Sequence, residues 1–283
     1  MANTNVLVDN LHGQYLMNIN NRTLAYKLVN KKLEAGLLAK WDTTKVKYFN
    51  NITLNTVTDS GETITIDDWA EQSADLVVDQ VRTKGFKIKD IEEIRSNTNL
   101  QMKLTELIAD ANAQVLDKYT LATAVAGAGT VLTSWTPSTE SKTTIFPSIE
   151  AMRVVLSEAG LSTGQSLFVN PKIASLLRQS GIYDAVPEGL SERQRAAYVT
   201  KLSGFEIYET NNVPTADAGV NTYMVAYDSE AIYGAEQMSK FKVETEGTGA
   251  MASRLLFEDV FGMDVLGLNS ARIVAKKIKV AVA

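Results

Sequence analysis

Residues Gly85–Gly129 read GFKIKDIEEIRSNTNLQMKLTELIADANAQVLDKYTLATAVAGAG, and two periods meet inside them. Phe86 and Ile88 alternate with lysines, as a strand does. From Asp90 the pattern turns helical. Asp90 is placed as an N-cap with Glu93 three residues on. Leu104, Leu107, Ile108, Ala111, Val115 and Tyr119 then repeat at the offsets of one helical face, and Gly127 and Gly129 stop it. A helix over Asp90–Ala126, roughly 35 residues, would run about 50 Å at 1.5 Å per residue, against a usual length of about 11–12 residues. The apolar offsets keep no strict heptad, so the reading is a spine packed on a sheet.

Working outward, Val46–Trp69 reads VKYFNNITLNTVTDSGETITIDDW. Ile52, Leu54 and Thr56 alternate on one run and Ile64 and Ile66 on the return, with Asp59-Ser60-Gly61 supplying turn chemistry. This predicts a long hairpin, polar on both faces, which cannot bury enough surface to stand alone and must lie on something else. Glu71–Val81 reads as a helix. Upstream, residues 1–22 are rich in Asn and read as an arm. Leu24, Tyr26, Leu28, Val29 and Leu33 predict a short amphipathic helix ending near Gly36.

Downstream, residues 130–144 form a Ser/Thr/Pro-rich connection. The chain then becomes α/β. Phe146–Ala159 is a helix with Pro147 in its first turn. Ser166–Asn170 is a buried strand, and Pro171 opens a helix that Gly181 closes. Gly204–Glu209 and Thr222–Asp228 are strands, and SEAIYGAEQ (229–237) reads as helix. Val243–Glu246 and Ser253–Asp259 flank a glycine turn. Ser270–Val280 alternates as a final strand carrying a basic stripe.

Composition narrows the chemistry. The 283 residues hold no cysteine and one histidine, His12, so disulfides, thiolate sites, Ser–His triads and His-Glu-x-x-His zinc sites are excluded. A net charge of −5, with 45% hydrophobic and 22% charged residues, describes a globular chain whose surface is not built to grip nucleic acid. The N-terminus has no basic and apolar signal pattern, and no apolar run approaches the roughly 18 residues of a membrane span.

Three constellations remain. Val57-Thr58-Asp59-Ser60-Gly61 matches the loop of aspartic proteases, whose chemistry needs two such loops; this chain has one, so only a homodimer could use it. Hairpin turn chemistry explains Asp59, Ser60, Gly61 and the following Glu62 without catalysis. Glu244, Glu246, Glu258, Asp259 and Asp264 lack the spacing of a cation loop and read as a solvated or intersubunit acidic face. Arg272, Lys276, Lys277 and Lys279 form a basic cluster with no acid beside it in sequence. It reads either as a solvated strand face or as a contact for phosphate or for an acidic patch on a neighbour. No cofactor or metal site emerges.

The order of elements (arm, short helix, protruding hairpin, spine helix, α/β insertion, returning strand) resembles the major capsid proteins of tailed double-stranded DNA phages, with the Hong Kong 97-type fold. GFKIKDIEEIRSNTNLQMKLTELIADANAQVLDKYTLA resembles the start of their spine. SLFVNPKIASLLRQSG with LSGFEIYETNNVP resembles their axial domain, and RLLFEDVFGMDVLGLNSARIVAKKI their terminal strands. The resemblance implies an α+β fold: residues 1–40 as arm and short helix, 41–78 as extended loop, 79–144 and 239–283 as the peripheral domain, and 145–238 as the axial domain. It further implies a non-enzymatic subunit forming pentamers and hexamers of an icosahedral shell, made in the host cytoplasm. Its partners would be other copies, scaffolding, portal or decoration proteins, and packaged double-stranded DNA by weak non-specific contact, with no membrane. The short arm beginning at Met1 implies no large cleaved scaffolding segment. Some relatives cross-link a loop lysine to a neighbour's asparagine. Here Lys45 and Lys47 lie at the hairpin base and its tip has no lysine, so that chemistry is not carried over.

Asp59, Ser60, Gly61, Glu62, Arg272, Lys276, Lys277 and Lys279 are thus candidate intersubunit contacts. An encapsulin-like nanocompartment shell, which resembles the same outline, and a homodimeric aspartic hydrolase using Asp59 are the alternatives.

Overall fold

The first helix, α1 (Ala2–Arg22), stands where composition predicts an arm. Tyr15 and Ile19, four residues apart, are buried against the long helix, so tertiary packing supplies what a weakly patterned sequence does not. The computed structural model describes residues 2–32, 43–48, 71–89, 100–132, 139–140, 144–161, 164–181, 192–217, 221–245 and 252–280. Thr23 ends α1: its N–H and its hydroxyl both donate to the Ile19 carbonyl, at 2.9 and 3.0 Å. Leu33 and Gly36 lie outside the described residues, and residues 24–32 do not form the short helix predicted there. They form a buried segment with one 3₁₀ turn at Tyr26–Leu28. The N–H groups of Leu24 and Tyr26 bond Asp117, and Asn30 pairs with backbone at Ile232 and Gly234, so the partners are distant rather than local.

The long helix, α2 (Leu100–Ala126), has 27 described residues, about 40 Å at 1.5 Å per residue. The Asp90 cap lies outside the described residues. The buried face is Thr105, Ile108, Ala109, Asn112, Ala113, Leu116, Asp117, Thr120, Leu121 and Ala124. Of the face predicted on apolar periodicity, Ile108 is buried and Leu104, Val115 and Tyr119 pack against the core, but Ala111 is exposed and Leu107 is 61% exposed. The cause is polar satisfaction inside. Asn112 bonds Tyr15 and Asp259, Asp117 bonds backbone, and the Thr120 hydroxyl donates to the Leu116 carbonyl.

Two strands, β1 (Thr43–Tyr48) and β2 (Gln72–Val77), pair antiparallel, and β3 (Gln80–Lys89) follows after Val78 and Asp79. The helix predicted over Glu71–Val81 is therefore strand. Ala74, Leu76 and Val78 share a period-two face that packs with Val46, Val260 and Leu266. Short strands β4 (Thr130–Leu132) and β5 (Thr139–Glu140) occupy the predicted connection.

Helix α3 (Ile145–Glu158), strand β6 (Gln165–Val169) and helix α4 (Pro171–Gln179) follow the sequence reading. The Asn170 side chain caps α4 by accepting from Lys172 N–H at 3.0 Å. Then come helix α5 (Glu192–Ala197) and strands β7 (Tyr198–Leu202), β8 (Phe205–Glu209), β9 (Thr215–Ala216) and β10 (Asn221–Tyr227). Ser203 and Gly204, at φ 52° and 82°, make the tight turn between β7 and β8.

Strand β11 (Tyr233–Thr245) replaces the helix predicted over 229–237, because pairing with β12 (Ala252–Asp264) outweighs the helix propensity of Ala, Glu and Gln. A 3₁₀ turn, Gly267–Arg272, precedes β13 (Val274–Val280).

One mixed sheet runs β4-β13-β10-β6-β8-β7, and an antiparallel sheet runs β11-β12-β3. Strand β6 is buried on both faces. On one side Leu167 and Val169 meet Ile149, Met152 and Leu156 of α3 and Ile173 and Leu177 of α4. On the other, Phe168 stacks on Tyr208 and Tyr227, at ring distances of 5.9 and 5.3 Å, toward α1 and α2.

Candidate functional site

The hairpin root is the most specialised part of the described surface. Thr43, Lys45 and Lys47 on β1, and Gln72, Ser73 and Asp75 on β2, are exposed, so these strands carry no core of their own. The outer pair is tied by an ion pair of 2.9 Å between Lys47 and Glu71. At the inner end the strands are anchored: Leu76 and Val78 are buried with Ala235, Val260 and Leu266. Here the backbone crosses β12 so closely that a Cβ added at Gly262 would lie 2.1 Å from the Val77 carbonyl oxygen. The root is a closely packed joint between the paired strands β1 and β2 and the body. The sequence reading places Leu76 and Val78 in a helix and so misses this joint. Asp59, Ser60, Gly61 and Glu62 lie outside the described residues.

The basic cluster is not a single face. Arg272 pairs with Asp228 at 2.6 Å and Glu230 at 3.1 Å, and Lys277 with Asp217 at 2.7 Å. The acids absent from the local sequence are thus supplied by the turns flanking β10. The hydrogen bond from Lys277 holds the Asp217 carboxyl below its ordinary value, and the same contact raises Lys277. Lys276 is buried at 1% exposure, because β13 turns it to the side of Val274 and Ile278. Lys279 is exposed.

The acidic set divides too. Glu258 and Asp264 are exposed, and Glu244 pairs with Lys242, which lowers its carboxyl by hydrogen bonding. Glu246 lies outside the described residues. Asp259, expected on a solvated face, is fully buried, and desolvation together with the Glu236 charge raises its carboxyl to about 7. Among the described residues, no cluster of three or more metal-ligating side chains is assembled. Nor is any of their helices long and apolar enough to cross a membrane.

A groove of about 340 Å³ runs between β3 and α2, lined by Phe86, Leu107, Ile108, Ala111, Val115 and Phe257 with Arg82 and Lys84. Its lining is hydrocarbon with cationic neighbours, the character of a contact surface rather than of a reaction site.

A family model described as phage capsid protein matches residues 72–276. The chain belongs to the phage capsid protein family. Among solved structures this capsid protein is similar to a chain of Mycobacterium phage Che8, 23% identical, covering 90% of each chain with a TM-score of 0.70. It is similar also to the capsid of Cyanophage P-SCSP1u (12% identical, 92% of this chain and 89% of that one, TM-score 0.71). The capsid of Ralstonia phage GP4 is a third likeness (9% identical, 93% and 91%, TM-score 0.66). At these identities the likeness is one of fold, and the fold is the Hong Kong 97 type. No curated protein matches the chain by sequence.

The capsid protein is a structural protein, the major subunit of a phage head, and its place is the virion shell, where many copies assemble. The family match favours this over the encapsulin-like and aspartic-hydrolase alternatives.

Proposed function

We propose that this capsid protein closes an icosahedral shell through pentamers and hexamers, without enzymatic activity, and that its hairpin is the principal arm laid across neighbouring copies. The observation that carries the reading is the hairpin root. The two strands that begin and end the hairpin carry exposed polar side chains, and Leu76 and Val78 anchor them at a crossing that only glycine fits, which supports a hairpin with no core of its own. The paired residues of β1 and β2 are symmetric about Ser60, which supports Asp59-Ser60-Gly61 as the tip and, with Glu62, as a contact with a neighbour.

On this reading residues 1–40 are the N-terminal segment, 41–78 the extended loop, 79–144 and 239–283 the peripheral domain, and 145–238 the axial domain meeting its copies around the symmetry axes. The mixed sheet supports an axial unit, to which β4, β5 and β13 contribute strands from the peripheral stretches. Arg272 precedes β13, and Lys277 and Lys279 lie on it. Lys279 is the one whose exposure suits it to touch a neighbour or packaged double-stranded DNA, weakly and without sequence preference. Buried Lys276 serves the subunit interior. Scaffolding, portal and decoration proteins are the further partners, and assembly takes place in the host cytoplasm.

Electron microscopy of the purified protein tests this. Closed shells or five- and six-membered capsomers are expected, and they should survive Asp59→Asn. A monodisperse monomer or dimer at every salt and pH would overturn it.

A further inference from the structure

Beneath the N-terminal segment lie two carboxylates, one of which, Asp259, is short of donors. Asp259 is completely buried; its Oδ2 accepts from Asn112, and its Oδ1 has no hydrogen-bond partner. The same Asn112 amide donates to the Tyr15 hydroxyl at 2.6 Å, so a single neutral side chain of α2 links α1 to the carboxyl. The β11–β12 ladder jumps from Gln237↔Val260 to Lys240↔Glu258, which leaves Asp259 opposite a bulge. Just before that bulge Glu236 accepts from the Tyr26 hydroxyl at 2.6 Å and from Lys31 at 3.2 Å. The cation on that side is therefore committed to Glu236. On β3, Arg82 is the register partner of Asp259, yet it is exposed, donates to Gln80 at 3.3 Å and lies over the Phe261 ring.

We propose that one proton, held at the Asp259–Glu236 pair, latches residues 12–32 onto the body of the subunit, and that its loss loosens them. When Asp259 is neutral, one amide donor suffices for it and no second anion faces Glu236. When it ionises, a buried charge is left with neutral donors alone, the Asn112 amide and the Val260 N–H, beside a second carboxylate. The groups over it are Tyr15, Tyr26 and Lys31, all from the N-terminal segment, whereas from beneath it is enclosed by α2 and by hydrogen-bonded strands. Water reaches the charge most cheaply by lifting that segment, since local opening begins at the element with the fewest ladder bonds. The carboxyl, raised to about 7 by burial first and the Glu236 charge second, puts the change near neutrality.

Hydrogen exchange on the unassembled full chain tests the latch, with each amide rate divided by its intrinsic rate at the same pH. The amides to follow are Leu24, Tyr26 and Asn30, whose acceptors are Asp117 and the Ile232 carbonyl. Their protection is expected to fall more than tenfold between pH 5.5 and pH 8.5, while strand β6 changes less than twofold.

Asp259→Asn, which keeps the shape of the neutral acid, should hold high protection at both ends. His12, the one histidine, lies a turn before Tyr15 on α1, and this variant leaves it in place. Glu236→Gln should move the fall to lower pH and shrink it, which serves as the readout if Asp259→Asn does not fold. Flat protection in the wild type, or the same fall in Asp259→Asn or an unmoved one in Glu236→Gln, overturns the proposal.

Discussion

The backbone N–H of Leu24 donates to both carboxylate oxygens of Asp117, at 3.0 and 3.1 Å, and Asp117 is buried in the middle of α2. Tyr26 N–H shares the first oxygen at 3.0 Å. A side chain thereby does for the incoming chain what a neighbouring strand would do, satisfying two buried donors that local structure leaves open. Asp117→Ala should destabilise the subunit by about 2–4 kcal/mol, since each stranded buried N–H costs roughly 1–3 kcal/mol. Asp117→Asn, which retains one acceptor, should cost about half as much. Urea unfolding of the two variants measures the difference.

Gly262→Ala tests the hairpin joint. The added Cβ would lie 2.1 Å from the Val77 oxygen and 2.8 Å from the Val78 Cα, both backbone atoms that cannot swing aside. Stability should drop by at least about 1–3 kcal/mol, as for other overpacked sites. Shell yield should drop further than stability alone accounts for, because the projection is re-aimed. Circular dichroism melts beside counts of closed particles separate the two effects; shells of normal yield would remove the joint from assembly.

Two leucines on α2 give opposite outcomes. Leu116→Ala, at a site of 0% exposure, should cost about 2–5 kcal/mol. Leu107→Ala should leave subunit stability within about 0.5 kcal/mol, the usual range for surface positions. If Leu107 lies against another copy in the shell, its truncation would weaken assembled particles alone, which a melt of particles beside a melt of subunits reveals.

The buried carboxyl at Asp259 sets the sign of a pH dependence. With its value raised from 3.8 to about 7, the folded subunit holds the proton over a window in which the unfolded chain has lost it. Stability should therefore be full below the unfolded value and decline as pH rises toward 7, with a slope no steeper than about 1.4 kcal/mol per pH unit for one proton. Asp259→Asn should flatten the curve and be the more stable protein at pH 8. Chemical unfolding at pH 5 and pH 8 decides it.

Arg272→Ala should cost roughly 1–2 kcal/mol, because it strips a charge-assisted bond from half-buried Asp228. Lys279→Ala, an exposed site, should stay within about 0.5 kcal/mol. A Lys279→Ala particle that packages DNA with unchanged salt sensitivity would show that this lysine makes no phosphate contact.

Where sequence and structure part, the cause is polar residues that turn inward. Apolar spacing puts Leu107 and Ala111 on the inner face of α2, but they are exposed, and Asn112 and Asp117 lie buried there instead, since Tyr15, Asp259 and the 24–26 backbone satisfy them. Lys276 was readable after all: in Val274-Ala275-Lys276-Lys277-Ile278 it shares parity with the apolar residues, which a count of basic side chains hides. Glu71–Val81 and 229–237 have helix-forming composition, and only their distant strand partners overrule it. The glycine stops at Gly127, the cap at Asn170 and the buried run of β6 were legible because their determinants are local. The same holds for the spine helix that carried the family resemblance.

Strand β13 sits between β4 and β10, in the interior of its sheet. A ribosome releases residues 274–280 only after everything else in that sheet has emerged. Until then one side of β10 is a bare edge and the sheet lacks a central strand. The nascent subunit is therefore unfinished in a place that its growing end alone can fill. A truncated product would carry an open edge able to pair promiscuously with other chains rather than a surface fit for a lattice. The topology acts as a proof of completion: only a chain translated through Val280 can present the finished sheet.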